Sequence, residues 1–328
     1  MEPYRQLEEE FAEWCGIDPE CMVVCSSGTA ALHLGLEVMH LAPKTPVMIP
    51  DFTMIACPRA VIMADLLPTF VDCDDRLLMD LDLVATTTAK VIMPVHVYGR
   101  LVDMARVAEV AERYSLRVIE DAAECPMPST GVLDVKCWSF YKNKIIAGEE
   151  GGAVAFAKSH DARLARQLRN MGFTNNHDFM HVPRGCNYRL ANCLAEKILE
   201  SLACYSENVT HRRKKEMIFD HFCPNEWRML PRDAPWVYDL RIPGLKIVQL
   251  NAIIERLEEL EIPARHGFKS CSLSQVEFVG SPFTVTSQVG QHLYGKSWVA
   301  AQEVLYVPLS VDRASVMPFA AIQEVLSS

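Results

Sequence analysis

Three short segments of the sequence carry side chains that could act on a phosphorylated ligand. Ser26–Thr29 is small and polar, and its hydroxyls and backbone N–H groups suit a phosphate because a predicted helix follows. Asp121 ends an apolar stretch, and Lys144 stands shortly before the glycine-rich run Gly148–Gly152. Taken singly, each segment has an ordinary alternative, which is a helix cap, a surface carboxylate or a solvated lysine.

The combination is more specific than its parts, because it matches what pyridoxal phosphate (PLP) requires of a protein. A helix N-terminus anchors the phosphate, a carboxylate pairs with the pyridinium nitrogen, and a lysine forms a Schiff base. The protonated ring is a better electron sink for a carbanion at the substrate α-carbon, and the displaced lysine can then move protons. The sequence therefore predicts a PLP site that includes Asp121 and Lys144.

The elements around these residues alternate between strand and helix. Apolar runs predict strands at Cys21–Cys25, Val47–Pro50, Thr69–Asp72, Ala89–Val95, Leu116–Asp121, Trp138–Tyr141 and Ala153–Phe156. Helical spacing or capping predicts helices at Ala30–Leu41, Ile55–Ala64 and Asp103–Tyr114. This order predicts an α/β fold with a mainly parallel central sheet flanked by helices. Ligands bind such sheets at the carboxyl ends of the strands, where the three segments fall.

A second, smaller unit is expected after the strand–helix alternation ends near residue 187. Residues 189–222 are charged and favour helix, and prolines interrupt the chain after them. Within this stretch five apolar residues are spaced like one helix face: Leu190, Leu194, Ile198, Leu202 and Tyr205. A strand-like segment at Val237–Ile242 and a helix-like segment at Leu250–Leu260 predict an α+β unit. We predict a PLP-binding large domain at residues 1–210 and a small C-terminal domain at residues 211–328.

Composition narrows the function classes. The chain has 328 residues, of which half are apolar, and a net charge of −10, so it should fold around a sizeable core. An acidic chain lacks the basic field of a DNA-coating protein, so nucleic acid is not an expected partner. The basic run His211–Lys215 is interpreted as a solvated helix face.

The residue types also predict the cellular compartment and whether a metal site is present. No signal peptide and no apolar run of membrane-spanning length occur in the sequence, so no membrane segment is expected. The twelve cysteines lie in apolar segments without paired CxxC spacing, which predicts reduced, mostly buried thiols and no metal site. These features together predict a cytoplasmic protein.

With these features the chain resembles the DegT/DnrJ/StrS sugar aminotransferases, which have fold type I among PLP enzymes. The resemblance runs from about residue 7 to residue 325 and depends on eight motifs in order. The motifs are Ser26–Leu34, Ile49–Thr53, Pro68–Asp72, Pro94–Gly99, Val118–Glu124, Ser139–Lys144, Gly148–Gly152 and Gly185–Leu190.

The resemblance implies a role for each residue that matches a family position. Lys144 matches the lysine that forms the Schiff base, and Asp121 matches the partner of the pyridine nitrogen. Gly28, Thr29 and Ser139 match the positions that bind the cofactor phosphate. The two catalytic residues implied are therefore Lys144 and Asp121.

Other matched positions concern the ring, the dimer and the substrate. Glu124 matches a position beside the cofactor ring, and Asn187 matches an asparagine that reaches the neighbouring subunit's cofactor, which implies a homodimer with shared active sites. Met54 stands where the family often has an aromatic residue that stacks on the ring. Residues 125–130 replace a more glycine-rich stretch, and the family's N-terminal arm is absent, so the substrate is expected to differ. Arg265 is a candidate for binding a substrate carboxylate or phosphate.

Three functions are consistent with these residues. The first is a PLP-dependent aminotransferase that moves an amino group from a donor such as glutamate to a keto group on a nucleotide-linked sugar or another small molecule. The second is a PLP-dependent decarboxylase, or another α-carbon lyase, acting on an amino-acid group attached to a larger molecule such as a modified nucleotide. The third is a regulator or scaffold without activity, which the presence of Lys144 disfavours.

Overall fold

The structure is a computed structural model that describes residues 2–84, 88–128, 131–174, 179–275, 278, 285–286, 295–309 and 317–327. Ser129 and Thr130, which end the predicted substrate segment 125–130, lie outside the described residues. The strands are β1 Met22–Cys25, β2 Pro46–Pro50, β3 Leu67–Val71, β4 Val91–Ile92, β5 Arg117–Asp121, β6 Val135–Ser139, β7 Gly152–Phe156, β8 Val237–Arg241, β9 Arg265–His266, β10 Val285–Thr286 and β11 Val304–Pro308.

The helices of the first part of the chain pack on the faces of one large sheet. The helices are α1 Pro3–Cys15, α2 Gly28–Val38, α3 Ala56–Met63, α4 Met104–Tyr114, α5 Ser159–Arg169, α6 Asn192–Ala203, α7 Tyr205–Phe222, α8 Ile247–Glu259, α9 Cys271–Ser274, α10 Lys296–Glu303 and α11 Met317–Ser327. The Ser27 hydroxyl caps α2 by accepting a bond from the Ala30 N–H at 3.1 Å, and Asp103 caps α4 in the same way.

The large sheet has the strand order β1-β7-β6-β5-β4-β2-β3-β10. Its strands from β6 to β10 in this order pair in parallel, whereas β7 pairs antiparallel with both of its neighbours. All five residues of β7 are buried, as expected of a strand that is covered on both faces. The predicted α/β fold with a mainly parallel sheet and flanking helices is confirmed.

A smaller antiparallel sheet, β8-β11-β9, packs with α8 and α11 around a separate apolar core. The core includes Tyr238, Leu250, Ile253 and Leu305, all of which are essentially inaccessible to solvent. After β9 the chain returns to the large sheet, where β10 pairs with β3. The division at residue 210 stays a prediction, and α7 runs across that position.

Two expectations for residues 189–222 are wrong. The five apolar residues spaced like one helix face do not share one helix: Leu190 precedes α6 and Tyr205 begins α7, because apolar spacing does not show where one helix ends and the next begins. The run His211–Lys215 is also not a uniformly solvated face, because Arg212 is only 7% exposed. Its guanidinium donates hydrogen bonds to the carbonyl oxygens of Lys144 and Trp236.

The two sheets are joined close to the carboxyl ends of the large sheet. Arg100, which follows the Pro94–Gly99 motif, makes a fully buried ion pair with Asp239 of β8, with 2.9 Å between Nη1 and Oδ2. Gly99 has a φ of 82°, and a Cβ there would overlap the carbonyl oxygen of Ala234. Glycine at this position therefore permits the close approach of the segment that leads into β8.

None of the helices in the described part of the chain combines the length and apolar character needed to cross a membrane.

Candidate active site

A cavity of about 350 Å³ lies at the carboxyl ends of β5 and β6, against the N-terminus of α2. Seven of the eight predicted cofactor residues line it: Gly28, Thr29, Met54, Asp121, Glu124, Ser139 and Lys144. These residues come from four separate segments of the chain, which the fold brings together around one cavity. The eighth predicted residue, Asn187, is exposed and lies outside the cavity.

The N-terminus of α2 provides hydrogen-bond donors at one end of the cavity. Gly28 and Thr29 are the first two residues of the helix, and within the described part of the chain neither N–H donates to another protein group. A Cβ at Gly28 would lie 2.8 Å from the Cβ of Ser139, so glycine lets the serine approach the helix end. Two free amides, a hydroxyl and the positive end of a helix form an anion site of the kind that binds phosphate.

The carboxylate of Asp121 is buried and held by two donors. Its Oδ1 accepts from the Ala123 N–H at 2.9 Å, and its Oδ2 accepts from the Cys57 thiol at 3.1 Å. Burial raises the pKa of Cys57 well above its usual range, so the group stays a thiol and can donate. Asp121 is therefore fixed in orientation at the end of β5, where its side chain lines the cavity.

Lys144 and Glu124 form a close pair across the cavity. Their Nζ and Oε1 atoms are 3.7 Å apart, and the lysine side chain is 11% exposed. Burial lowers the pKa of Lys144, although Glu124 and Asp121 oppose that shift. Burial also raises the pKa of Glu124 to about 7, with Lys144 opposing the shift. Burial therefore favours the neutral form of both groups, and their short separation allows them to share a proton.

Glu124 is positioned by the backbone of the Pro94–Gly99 motif. Its Oε2 accepts from the Tyr98 N–H at 2.8 Å, and Tyr98 has a left-handed backbone with φ of 55°. The Tyr98 hydroxyl accepts from the Phe268 N–H at 2.8 Å, which ties the motif to the segment after β9. A non-glycine residue in this conformation is uncommon, and here it directs its N–H at the carboxylate.

The opposite wall of the cavity comes from residues 236–306. Trp236 places its ring face 3.8 Å from the Lys144 Nζ, which is the distance of a cation–π contact. The rings of Phe268 and Tyr306 pack on the Tyr98 ring at centroid separations of 4.9 Å and 5.5 Å. The Tyr306 ring also lies 6.3 Å from that of Trp236. No site role was predicted for these three aromatic residues, because they fall in different elements and no spacing in the sequence brings them together.

Two further predicted residues lie at the rim. Met54 is 47% exposed and lines the cavity, and its sulfur accepts from the Ala56 N–H at 3.0 Å. Arg265 also lines the cavity and is exposed. Burial raises the pKa of the neighbouring Tyr306, and the Arg265 guanidinium partly offsets that shift. An exposed guanidinium at the mouth of the cavity suits an anionic group of a substrate.

The residues present fit PLP in both shape and donor chemistry. The free amides of Gly28 and Thr29 match a phosphate, the buried carboxylate of Asp121 matches a cationic ring nitrogen, and Lys144 provides the amine. The described residues hold no cluster of three or more His, Cys, Asp or Glu side chains able to bind a metal ion. Fold and site together define a PLP-dependent enzyme of fold type I.

The comparisons with known proteins give the family. The DegT/DnrJ/EryC1/StrS aminotransferase family matches residues 2–309, and the chain belongs to this family. It is an aminotransferase that uses PLP. The resemblance to this family that the eight sequence motifs indicated is thereby confirmed.

Two curated relatives show how similar the chain is to characterised proteins. GDP-perosamine synthase of Caulobacter vibrioides is 32% identical over 282 residues, which cover 80% of this chain and 75% of that protein. UDP-N-acetyl-3-dehydro-alpha-D-glucosamine 3-aminotransferase of Acidithiobacillus ferrooxidans is 37% identical over 199 residues, covering 57% of this chain and 52% of that protein.

A solved structure supports the fold. A Streptococcus pneumoniae protein solved in its PLP form superposes with a TM-score of 0.87 at 20% identity, covering 99% of this chain and 90% of that chain.

Proposed function

We propose that this aminotransferase moves an amino group from an amino-acid donor such as glutamate to a keto group on a nucleotide-linked sugar. The observation that carries the proposal is the convergence of Lys144, Asp121 and Glu124 in one cavity of a chain whose two relatives described above are named for nucleotide sugars. The exposed Arg265 at the mouth supports an anionic substrate.

Each residue has a part that follows from its position. The amides of Gly28 and Thr29 and the hydroxyl of Ser139 hold the phosphate, and Asp121 keeps the ring nitrogen protonated. PLP, when bound, supplies the electron sink for charge that develops on the substrate carbon. Lys144 would take the proton from that carbon and return it at the transfer position, and burial, which lowers its pKa, favours the neutral amine that this role requires.

Glu124 lies where it can assist this proton transfer. With 3.7 Å between Oε1 and the Lys144 Nζ, it can receive the proton that the lysine carries between steps. Its pKa of about 7 makes both protonation states accessible near neutral pH.

The lysine assignment is tested by comparing two neighbours. Lys144→Ala is expected to abolish the visible absorbance of bound PLP and all amine transfer, whereas Lys142→Ala, which removes an exposed lysine two residues away, should leave both intact. In a single turnover with glutamate, the unmodified protein should form one equivalent of 2-oxoglutarate per site. Carbon dioxide release without a keto acceptor would instead support the lyase alternative.

A homodimer with shared sites is part of the proposal. Asn187 is exposed and outside its own cavity, as expected of a residue that serves a neighbouring subunit. Mixing Lys144→Ala with Asn187→Ala should regain activity, because one site of a mixed dimer keeps both residues. A monomeric mass by light scattering, or no regain on mixing, would contradict shared sites.

We also propose a cytoplasmic location. All twelve cysteines are free thiols, and most of them are buried, as is usual in a reducing compartment.

A further inference from the structure

Arg212 is a buried cation without a carboxylate partner among the described residues. It lies on α7 and is 7% exposed, whereas its neighbours His211 and Lys214 are exposed. Burial lowers the pKa of Arg212 to about 10. Burying a guanidinium costs free energy, so its hydrogen-bond partners need an explanation beyond chance placement.

The partners of Arg212 are two carbonyl groups that belong to opposite walls of the active site. Its Nη1 donates to the Trp236 carbonyl at 2.9 Å, and its Nη2 donates to the Lys144 carbonyl at 3.1 Å. One rigid, planar guanidinium therefore connects the backbone of the cavity lysine to the backbone of the residue just before β8. A lysine at position 212 has no such fork.

The side chain of Trp236 completes the connection. Its Nε1–H donates to the Asn143 carbonyl at 2.9 Å, which fixes the plane of the indole relative to the Lys144 turn. The ring face then lies 3.8 Å from the Lys144 Nζ. Residues 143–144 and Trp236 are thus joined by three hydrogen bonds and one cation–π contact.

We propose that Arg212 and Trp236 are positioning residues that hold the Lys144 amine at the angle and depth needed for proton transfer. The assignment rests on the proposed role of Lys144. Arg212 anchors the lysine backbone, and the indole face restricts the path of the ammonium group. Since a displacement of about 1 Å can cost a hundredfold in rate, such an anchor acts on turnover more than on substrate binding.

The main variant is Arg212→Met, which removes both donors and retains an apolar stem. We expect kcat to fall on the order of tenfold while the donor KM changes less than about twofold. The matched control is Arg213→Met, because Arg213 is the next residue of α7 and bonds to Glu216 and the Asp233 carbonyl instead. Equal kcat losses in both variants would show that Arg212 only stabilises the fold.

A second measurement uses the protein without cofactor, so that it does not depend on turnover. Competitive labelling with acetic anhydride, read by mass spectrometry, reports the amine reactivity of Lys144 against pH, with the exposed Lys142 as an internal reference. In Trp236→Leu the indole no longer covers Nζ, and the plateau reactivity of Lys144 should rise about threefold or more. Trp236→Phe keeps a ring but loses the bond to Asn143, and a smaller rise is expected.

The outcomes separate the two proposals. An unchanged Lys144 labelling profile in Trp236→Leu and, where it folds, Arg212→Met would overturn the positioning role, even if the variants lose thermal stability. Should Arg212→Met fail to fold, the two Trp236 variants decide the matter by the same profile. A parent protein that forms no 2-oxoglutarate would contradict the proposed function, while the labelling comparison still tests whether these residues position the amine.

Discussion

The two walls of the active-site cavity are built in different ways. The cofactor wall consists of residues at the ends of buried strands and at a helix N-terminus, and its two carboxylates are 5% exposed at Asp121 and 4% exposed at Glu124. The opposite wall consists of Trp236, Phe268, Tyr306 and the exposed Arg265, which come from short segments around the small sheet.

This difference separates two requirements of the chemistry. A cofactor wall made from a parallel sheet is rigid, because strand ends move only with the sheet, and it suits a reaction that many relatives share. A wall made from separate segments can change residue by residue without disturbing the core. We therefore expect variants of the first wall, and of Trp236, which contacts Lys144, to affect turnover. Variants at the exposed Arg265 should affect substrate choice instead.

Among variants of the two walls, the largest effect on kcat is expected at Asp121. Asp121→Asn removes the charge that we propose pairs with the ring nitrogen, and kcat should fall on the order of a hundredfold or more with little change in donor KM. Asp51→Asn is the matched control, because Asp51 is also a buried carboxylate just after a strand but bonds to Ser270 and Ser272. A similar loss of kcat per folded site in both variants would show that the loss comes from removing any buried charge, and not from the proposed pairing of Asp121 with the ring nitrogen.

A smaller effect, of a different kind, is expected on the opposite wall. Arg265→Ala should raise KM for an anionic substrate on the order of tenfold, since a charged hydrogen bond is lost, while kcat changes little. Arg256→Ala, which removes an exposed arginine of α8 paired with Glu259 and Glu324, should change neither constant. A large fall in kcat in Arg265→Ala would contradict this assignment, because it would show that the arginine takes part in turnover and not only in substrate binding.

How far the sequence could predict the site follows the same division. Asp121, Ser139 and Lys144 were predictable because each lies at or shortly after a strand whose apolar run is visible in the sequence. Trp236 was not predictable, because a single tryptophan after a proline-rich stretch has no periodicity to place it. Cys57 lies 64 residues from Asp121 in the chain, and only the packing of α3 against the sheet brings their side chains together.

The burial of Arg212 was not predicted, and the reason is general. Charge patterning predicts an exposed helix face, but it carries no information about which member of a basic run faces the interior. The same limit applies to the eight-stranded order of the sheet, in which the position and antiparallel direction of β7 depend on contacts between segments far apart in the chain.

The Glu124 carboxyl offers a test through pH. Its pKa is raised by burial from 4.5 to about 7, so the folded protein binds a proton that the unfolded chain has released between these values. Its contribution to stability is present below pH 4.5 and is lost as the pH rises through about 7. Glu124→Gln cannot titrate, and the free energy of unfolding should therefore depend less steeply on pH in this window.

Urea unfolding of the cofactor-free protein between these pH values checks the slope. Glu120→Gln is the control, because His96 and Lys136 outweigh burial and lower the pKa of Glu120, which gives the opposite sign and a window at lower pH. If Glu120→Gln flattens the slope as much as Glu124→Gln does, the titrating group near neutral pH is not Glu124.

The smallest effect is expected at Cys57 of α3, whose thiol donates to the Asp121 carboxylate. It tests whether the rigid cofactor wall includes this residue behind Asp121. Cys57→Ala removes one hydrogen bond to the carboxylate, and a bond worth about 1 kcal/mol predicts a kcat reduction of about fivefold. Cys57→Ser keeps a donor and should stay closer to the parent protein. Cys137→Ala is the control, because Cys137 is equally buried and lies beside the cavity but makes no described hydrogen bond to Asp121.

The pattern among these three variants decides between packing and orientation. If Cys57→Ala and Cys137→Ala lose the same activity, the cavity left by the missing sulfur is the cause, since both substitutions remove the same volume. If Cys57→Ala alone loses activity and Cys57→Ser recovers it, the thiol orients the carboxylate through its hydrogen bond. In that case the rigid wall includes a residue of α3, and its rigidity comes from side-chain contacts below the strand ends as well as from the sheet itself.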